Sequence, residues 1–299
     1  MNIEKWLKTN TSDLHGQRIA VTGSTGGLGR ELCAYLASLG ADLVLLDRNK
    51  QRSERHRDEL AERFGVCVSC INVDLEVLES VHSATEALKD KEIDVFIHNA
   101  GAYSIPRHKC DTGYDNVYQI NFVSPVYMIR ELLPTLRERK GRVVAVGSIA
   151  HNYSKTDPDD IDFSDRKQSS KVYGNAKRHL MFSLYELFKN EREVTLSITH
   201  PGITFTNITA HYPKLIFAII KHPMKVIFMK PRKAALSIVR GVFESTDECE
   251  WIGPRVFDVW GYPKKRLLKT ADSAERKEIA RIAETVYENL KQDKTRPDR

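Results

Sequence analysis

The sequence predicts an α/β protein built on a doubly wound, mainly parallel sheet. Three observations support this fold: short β-branched runs alternate with longer stretches of helical period, the runs are apolar on both faces, and a glycine-rich turn follows the first run. A chain of 299 residues with 41% apolar residues can bury a core on both sides of such a sheet. Right-handed crossovers then make a three-layer αβα arrangement the expected topology.

Six strands and the helices between them follow in chain order. The predicted strands are Arg18–Thr22, Ala41–Leu46, Val66–Val73, Asp94–His98, Arg142–Gly147 and Val194–Thr199. The predicted helices run from the glycine turn to about Leu39 and then over Gln51–Phe64, Leu75–Leu88, Tyr114–Arg139 and Val172–Asn190. The long helix is expected to bend or break near Pro125 and to end at Gly141.

A single domain is expected over residues 1–299. Residues 15–200 form its cofactor-binding core, residues 203–245 a small helical substrate lid with the helix that follows it, and residues 246–292 a C-terminal strand and helix. Asp272 can cap that last helix with Glu275 at the third position. An apolar stripe then continues through Ile279, Ile282, Val286 and Leu290.

The composition favours a cytoplasmic protein. The first residues lack a basic head followed by an apolar stretch, and no run reaches the roughly 18 apolar residues that span a bilayer. Five cysteines, an odd number, fit a reducing compartment. Cys67 and Cys70 form a CxxC pair in a predicted buried strand, and no second pair completes a metal site. We therefore expect these cysteines to belong to the core, and we expect no metal.

The charge of +6 is unevenly distributed. Residues 194–243 contain no acidic residue, whereas basic residues recur at Lys214, Lys221, Lys225, Lys230, Arg232, Lys233 and Arg240. Two apolar pieces edged with lysine, within residues 211–232, predict a lipophilic substrate, or peripheral contact with an anionic membrane. Aromatic and basic residues do not interleave as they do in nucleic-acid grooves, so no nucleic-acid partner is expected.

The turn after the first strand predicts a dinucleotide site. It comprises Thr22, Gly23, Ser24, Thr25, Gly26, Gly27, Leu28 and Gly29, where glycines let a pyrophosphate approach the amides of a helix N-terminus. Asp47 ends the second strand and can accept from both ribose hydroxyls, which favours NAD over NADP, although Arg48 could pair with a 2′-phosphate. Asp74 and Leu75, after the third strand, can contact the adenine; Asp74 is equally suited to cap a helix.

Four residues predict acid–base chemistry. Tyr173 and Lys177 lie at i and i+4 on one helix face, where an ammonium and the positive nicotinamide ring would lower a phenol pKa that is ordinarily about 10. Ser148 ends the fifth strand at the carboxyl edge and can hold the substrate oxygen. Asn121 can anchor a water that connects Lys177 to solvent, but taken alone it is a packing residue.

In this order the motifs resemble the short-chain dehydrogenase/reductase family of single-domain Rossmann-fold enzymes. They are the TGxxxGxG turn, Asp74, Asn99-Ala100-Gly101, Asn121, Ser148, Tyr173 with Lys177, and Pro201-Gly202. The resemblance implies hydride transfer between a nicotinamide cofactor and an alcohol or carbonyl. It also implies that Lys177 binds the nicotinamide ribose, that Asn99, Ala100 and Gly101 support the cofactor, and that the segment of Pro201, Gly202, Thr204 and Thr206 holds the carboxamide side.

Some features depart from the family pattern. His98 replaces the first asparagine of the usual NNAG, and twenty-four residues separate Ser148 from Tyr173, a long gap shared with retinol-dehydrogenase-like members. Gly23, Gly26 and Gly29 also fit the spacing of the extended branch, so a sugar-nucleotide epimerase or dehydratase is one alternative. A non-catalytic cofactor-sensing protein is another. By analogy with the family, a homodimer or homotetramer would pair through the two long helices.

Overall fold

Eight strands form one sheet in the computed structural model, which describes residues 2–203, 229–268 and 272–294. In chain order they are β1 (Arg18–Thr22), β2 (Asp42–Asp47), β3 (Val68–Asn72), β4 (Val95–His98), β5 (Arg142–Val146), β6 (Thr195–Thr199), β7 (Glu250–Val256) and β8 (Trp260–Leu267). The spatial order is β3-β2-β1-β4-β5-β6-β7-β8, and only the β7–β8 pair is antiparallel. The chain changes direction between β1 and β4, which is where open parallel sheets bind ligands.

Helices cover both faces of this sheet. They are α1 (Ile3–Asn10), α2 (Gly27–Ser38), α3 (Lys50–Phe64), α4 (Leu78–Lys89), α5 (Asn116–Tyr118), α6 (Ser124–Glu138), α7 (Ser169–Phe188), α8 (Pro231–Phe243) and α9 (Ser273–Lys294). Alternate residues of one strand enter opposite cores: Ala20 packs with α4, α6, α7 and α9, whereas Ile19 and Val21 pack with α1, α2, α3 and α8. The predicted three-layer αβα fold is therefore confirmed.

Several predicted elements need correction. The N-terminal helix α1, which buries Trp6, was not predicted. Helix α4 begins at Leu78 instead of Leu75. Strand β3 is the sheet edge, so it is only partly covered: Cys67 precedes it and is exposed, and Cys70 is half-buried. The core prediction for this cysteine pair was therefore wrong for Cys67.

The long central helix is interrupted just before Pro125, near which a bend or break was predicted. Residues Gln119–Val123 form a π-helical turn between α5 and α6, and Pro125 sits in the first turn of α6, where proline needs no backbone N–H donor. The C-terminal segment likewise contains two strands, β7 and β8, where one was predicted.

Part of the predicted lid lies outside the described residues. This applies to Thr204, to Thr206 and to most of the segment 211–232 for which membrane contact was predicted. Within the described part of 203–245, helix α8 packs into the core beside α2, with Leu236 and Val239 fully buried. None of the described helices is both long and apolar enough to cross a bilayer.

Candidate active site

The glycine turn between β1 and α2 has the shape required for a bound pyrophosphate. Gly23 has a positive φ of 69°, and a Cβ at Gly29 would lie 2.1 Å from the carbonyl oxygen of Gly23, so both positions need glycine. Helix α2 starts at Gly27, and its N-cap, Gly26, supplies no side-chain bond to the first amides. Those N–H groups are left to a ligand, which fits an anionic dinucleotide.

The NAG segment after β4, Asn99 to Gly101, holds this turn in place through hydrogen bonds. The amides of Asn99 and Ala100 donate to the Thr22 hydroxyl at 3.1 and 3.0 Å, and Asn99 Nδ2 donates to the carbonyls of Thr22 and Gly23. His98 Nδ1 lies 3.2 Å from the same hydroxyl. Burial, and then the nearby Lys177 charge, hold the pKa of His98 well below its usual value, so the imidazole is neutral. His98 can therefore stay uncharged and hydrogen-bonded at the buried position where the family has asparagine.

Asp47 lies at the predicted place, but its carboxylate faces the glycine turn. Ser24 Oγ and Ser53 Oγ donate to Oδ2, while the Thr25 amide and hydroxyl donate to Oδ1 at 3.0 and 2.9 Å. A carboxylate has about four lone-pair sites, so the chain itself supplies a donor for each. Arg48 points to solvent, and its Nη1 lies 3.3 Å from Glu76 Oε1.

Asp74 does not cap a helix. Its Oδ1 accepts from the Glu76 amide at 3.0 Å in a local turn, and its own amide donates to Ser80 Oγ at 2.9 Å. Leu75 is buried, and its carbonyl accepts from Ser124 Oγ at 2.7 Å, which ties this loop to the start of α6. The remaining carboxylate oxygen of Asp74 is free of hydrogen bonds among those described, so an adenine contact stays a prediction.

Ser148 and Tyr173 meet at the carboxyl end of β5. The Tyr173 hydroxyl hydrogen-bonds with Ser148, which caps the 3₁₀ turn Ile149–Tyr153 by accepting from the Ala150 amide at 3.2 Å. A Cβ at Gly174 would lie 2.3 Å from the Ala150 carbonyl oxygen, so this glycine lets α7 approach the turn. Burial, partly offset by the Ser148 bond, raises the pKa of Tyr173 to about 12.

Lys177 and Asn121 meet beneath the tyrosine. Lys177 is 1% exposed; its Nζ donates to the Val146 carbonyl at 2.9 Å and lies 5.8 Å from the centre of the Tyr173 ring. Burial lowers the pKa of Lys177 to about 7. Asn121 sits in the π turn and donates to Ala102 and Val117, while its buried Oδ1 has no partner. A π turn is a frequent device for aiming a side chain at a functional site.

Two features of this site had no signal in the sequence. A Cβ at Gly101 would lie 2.8 Å from Asn121 Oδ1 and 3.5 Å from Lys177 Nζ, so the third residue of NAG is glycine because those side chains lie against it. Arg107 holds the long insert before Tyr173 by donating to the Phe163 carbonyl at 2.8 Å and, through Nε, to Asp115 at 2.8 Å. Such contacts join loops that are far apart in sequence.

The structure brings Asn121, Ser148, Tyr173 and Lys177 together beside the NAG segment and the glycine turn, whereas Arg48 faces solvent. Pro201 and Gly202 follow β6 at the same edge of the sheet, and Gly202 has a positive φ of 80°. A glycine-rich turn beside Ser148, Tyr173 and Lys177 at the switch point of a parallel sheet is the arrangement expected of a nicotinamide-dependent oxidoreductase.

The comparisons with known proteins agree with this class. The sequence profile of the short chain dehydrogenase family matches residues 17–214, so the chain belongs to the short-chain dehydrogenase/reductase family and is an NAD(P)-dependent oxidoreductase. Retinol dehydrogenase 14 of Homo sapiens is 26% identical over 265 residues, which cover 82% of this chain and 78% of that protein.

Solved structures share the fold. An uncharacterized protein from Mycobacterium paratuberculosis superposes with a TM-score of 0.70 at 21% identity and covers 95% of both chains. A short-chain dehydrogenase from Sphingobium yanoikuyae, solved in complex with NADPH, gives a TM-score of 0.59 at 18% identity over 95% of this chain and 97% of its own. In this chain the two C-terminal strands, β7 and β8, extend the same sheet.

Proposed function

We propose that this enzyme transfers a hydride between its nicotinamide cofactor and a hydrophobic alcohol or carbonyl, with Tyr173 as the acid–base group. The observation that carries the proposal is the meeting of Ser148, Tyr173 and Lys177 at one edge of the sheet, next to the glycine turn. Ser148 follows β5, and Tyr173 and Lys177 lie on two successive turns of α7, with both side chains directed toward this edge of the sheet.

The proton step requires a phenolate. With the chain's own groups alone, burial keeps the pKa of Tyr173 at about 12, which is too high for a base at neutral pH. The oxidised nicotinamide ring, when bound, supplies the hydride acceptor and a positive charge that favours ionisation of the phenol. Ser148 then holds the substrate oxygen through its hydroxyl while Tyr173 takes the alcohol proton, or returns it in the reverse direction.

Lys177 and Asn121 help to move the proton that Tyr173 exchanges with the substrate. Because burial lowers the pKa of Lys177 to about 7, its amine can gain or lose a proton near neutral pH. The unpartnered Oδ1 of Asn121 lies on the same side of Gly101 as Lys177 Nζ, in a position to hold a water between them. We infer that this water connects the lysine to solvent.

The test of the acid–base role is Tyr173→Phe. This variant should bind the cofactor nearly as tightly as the wild type, since the ring and Lys177 remain, while turnover falls by about two to four orders of magnitude. Tyr153→Phe is the matched control, because Tyr153 lies nearby but is 55% exposed. Turnover that survives in Tyr173→Phe would contradict the assignment.

A lipophilic substrate is favoured by the walls around Tyr173. The Tyr103 ring meets it edge-on at 5.3 Å between centroids, and Ile105 and Tyr173 pack against an apolar cluster of Val117, Phe163 and Val172. The similarity to a retinol dehydrogenase supports the same class. A panel of retinoid, steroid, fatty and small polar alcohols, followed through absorbance of the reduced cofactor, separates this proposal from a preference for polar substrates.

We propose NAD as the preferred cofactor, chosen through Asp47. Its carboxylate already has four donors from the chain, so it acts on the ribose site mainly by its negative charge, which repels a 2′-phosphate. Arg48 and the NADPH complex of a structural relative favour the opposite preference. The dissociation constants of NADH and NADPH decide between the two preferences. Asp47→Ala should reduce the ratio of these two dissociation constants. If the wild type binds NADPH more tightly than NADH, the proposal is refuted.

We further propose that the chain does not pair through its two long helices. Helix α9 already covers them: Ile282 and Val286 are buried in the same core as Leu184, and Tyr287 hydrogen-bonds to Glu131 of α6 at 2.7 Å. A partner subunit would have to displace α9. Light scattering during gel filtration tests this, and a dimer that dissociates when charged residues are introduced on the α6 surface would contradict it.

We also propose that the enzyme attaches peripherally to an anionic membrane. A cytoplasmic enzyme with a lipophilic substrate gains from docking on the anionic surface that holds such a substrate, and the basic, acid-free segment supplies the charge. Sedimentation with vesicles containing phosphatidylserine at low and high salt tests this. Equal recovery in the supernatant with and without vesicles would exclude it.

A further inference from the structure

Three side chains with metal-binding chemistry meet beside Asp74, where the sequence predicts the adenine. Glu76 lies in the loop after β3, and His108 and Cys110 lie in the loop after β4. One carboxylate oxygen, one imidazole nitrogen and one sulfur lie within 4.8 Å of one another, the one group of this kind in the described part of the chain. The loops are about thirty residues apart in sequence, so their spacing resembles no zinc motif.

The group is close to the geometry of a bound ion. In a tetrahedral zinc site, ligands at about 2.0 to 2.3 Å from the metal are roughly 3.5 Å from one another. His108 Nε2 and Glu76 Oε2 are already 3.1 Å apart, so small side-chain rotations bring all three atoms onto one ion. A fourth position is left for water, as in sites with three protein ligands.

The surroundings are negative. Besides Glu76, the carboxylates of Asp74, Asp111 and Asp115 all interact electrostatically with Cys110. Arg48 Nη1 touches Glu76 Oε1 and leaves Oε2 to face His108, and Arg107 pairs with Asp115 at 2.8 Å. Burial and these carboxylates raise the pKa of the Cys110 thiol, so a cation must displace its proton. The site then offers one sulfur, one imidazole nitrogen and one carboxylate oxygen, in surroundings that favour positive charge.

The backbone holds the two loop ligands in place. The Cys110 amide donates to the Tyr114 carbonyl at 2.8 Å, and the Gly113 amide donates to the Cys110 carbonyl at 2.8 Å, which closes the turn that carries the thiol. Asn116 Nδ2 lies 3.1 Å from His108 Nδ1, and Asn116 Oδ1 accepts from the His108 amide at 3.4 Å, so Asn116 holds both the ring and the backbone of His108.

We propose that Glu76, His108 and Cys110 form a site for a borderline divalent cation of the zinc class. A sulfur, a nitrogen and an oxygen ligand together suit Zn²⁺ or Co²⁺, whereas Mg²⁺ and Ca²⁺ prefer oxygen alone. The ion would join the loop after β3 to the loop after β4 at the rim of the cofactor cleft. It has no part in the hydride step.

Cobalt provides a direct test on the full-length protein. After dialysis against EDTA under reducing conditions, the protein is titrated with Co²⁺. One equivalent should give a thiolate-to-cobalt charge-transfer band together with the intense visible bands of tetrahedral Co²⁺. Zn²⁺ should abolish both signals, and a large excess of Mg²⁺ should leave them unchanged. No charge-transfer band at one equivalent would overturn the proposal.

Variants locate the ion. Cys110→Ser should remove the charge-transfer band, and His108→Asn and Glu76→Gln should each weaken Zn²⁺ binding at least about tenfold in competition with a chromophoric chelator. Circular dichroism establishes that each variant is folded. Cys67→Ser and Cys70→Ser are the matched controls, because Cys67 precedes β3 and Cys70 lies within it, and neither should change the titration. A band that persists in Cys110→Ser but vanishes in a control variant would assign the metal to the CxxC pair and refute the site.

Discussion

The most informative stability prediction concerns Glu275, which joins helix α9 to the helix that carries Tyr173 and Lys177. Its two carboxylate oxygens accept from Arg178 Nε and Nη2 at 2.7 and 2.6 Å, and Thr156 of the insert donates to Oε1 through its amide and its hydroxyl. The side chains of Arg178 and Glu275 are only 4% and 14% exposed. One carboxylate thus holds together α9, α7 and the insert between Ser148 and Tyr173.

The size of the effect follows from the pKa. Burial alone would raise the pKa of Glu275, but the bonds from Arg178 and Thr156 outweigh it and lower the pKa from 4.5 to about 2. At about 1.4 kcal/mol per pKa unit, this corresponds to about 3 kcal/mol of folding free energy. Glu275→Gln removes that charge and leaves Arg178 buried without a counter-ion, which has a similar cost.

Thermal denaturation measures this loss. An unfolding entropy of about 2.1 cal/mol/K per residue gives about 0.6 kcal/mol/K for the chain, so Glu275→Gln should lower Tm by about 5 °C at pH 7. The folded-state pKa lies below the unfolded value, so the contribution is complete above about pH 5 and is lost as the pH falls toward 2. The difference between wild type and variant should therefore shrink in acid.

Glu278→Gln is the control on the same helix. Glu278 pairs with Arg281 at 2.6 Å, but these side chains are 31% and 66% exposed, and such surface pairs contribute about 0.5 kcal/mol or less. If Glu275→Gln and Glu278→Gln denature within about 1 °C of each other at pH 7, the buried pair does not have the role assigned here.

Further predictions concern the cofactor turn and the π turn. Gly29→Ala should abolish measurable NADH fluorescence enhancement and lower Tm, because its Cβ would lie 2.1 Å from the Gly23 carbonyl oxygen. Gly26→Ala should leave Tm nearly unchanged, since its Cβ meets that oxygen at 3.4 Å; equal losses in the two variants would disprove the steric argument. Asn121→Ala should lower kcat about tenfold or more with little change in KM, and an unchanged kcat in stopped-flow assays would remove Asn121 from the proton route.

The layer architecture, the glycine turn and the helix that carries Tyr173 and Lys177 follow from local patterns in the sequence. Strands β1, β2, β4, β5 and β6 lie within a residue or two of their predicted bounds, because a short apolar run between turn residues is a local property of the chain. Glycine requirements are local as well, so the turn from Gly23 to Gly29 was predictable. The i, i+4 spacing of Tyr173 and Lys177 placed both on one helix face without knowledge of any distant contact.

Tertiary structure alone decided the features that depend on contacts between distant segments. Cys67 is exposed and Cys70 half-buried because β3 is the edge strand of the sheet. The order of the strands decides which strand lies at the edge, and the periodicity of the sequence does not encode that order. The hydrogen bonds that engage Asp47, and the approach of Asn121 to Gly101, arise because parallel strands bring separate loops to one edge. The same physical cause places Glu76 beside Cys110: covalent spacing specifies each element, and only packing specifies which loops become neighbours.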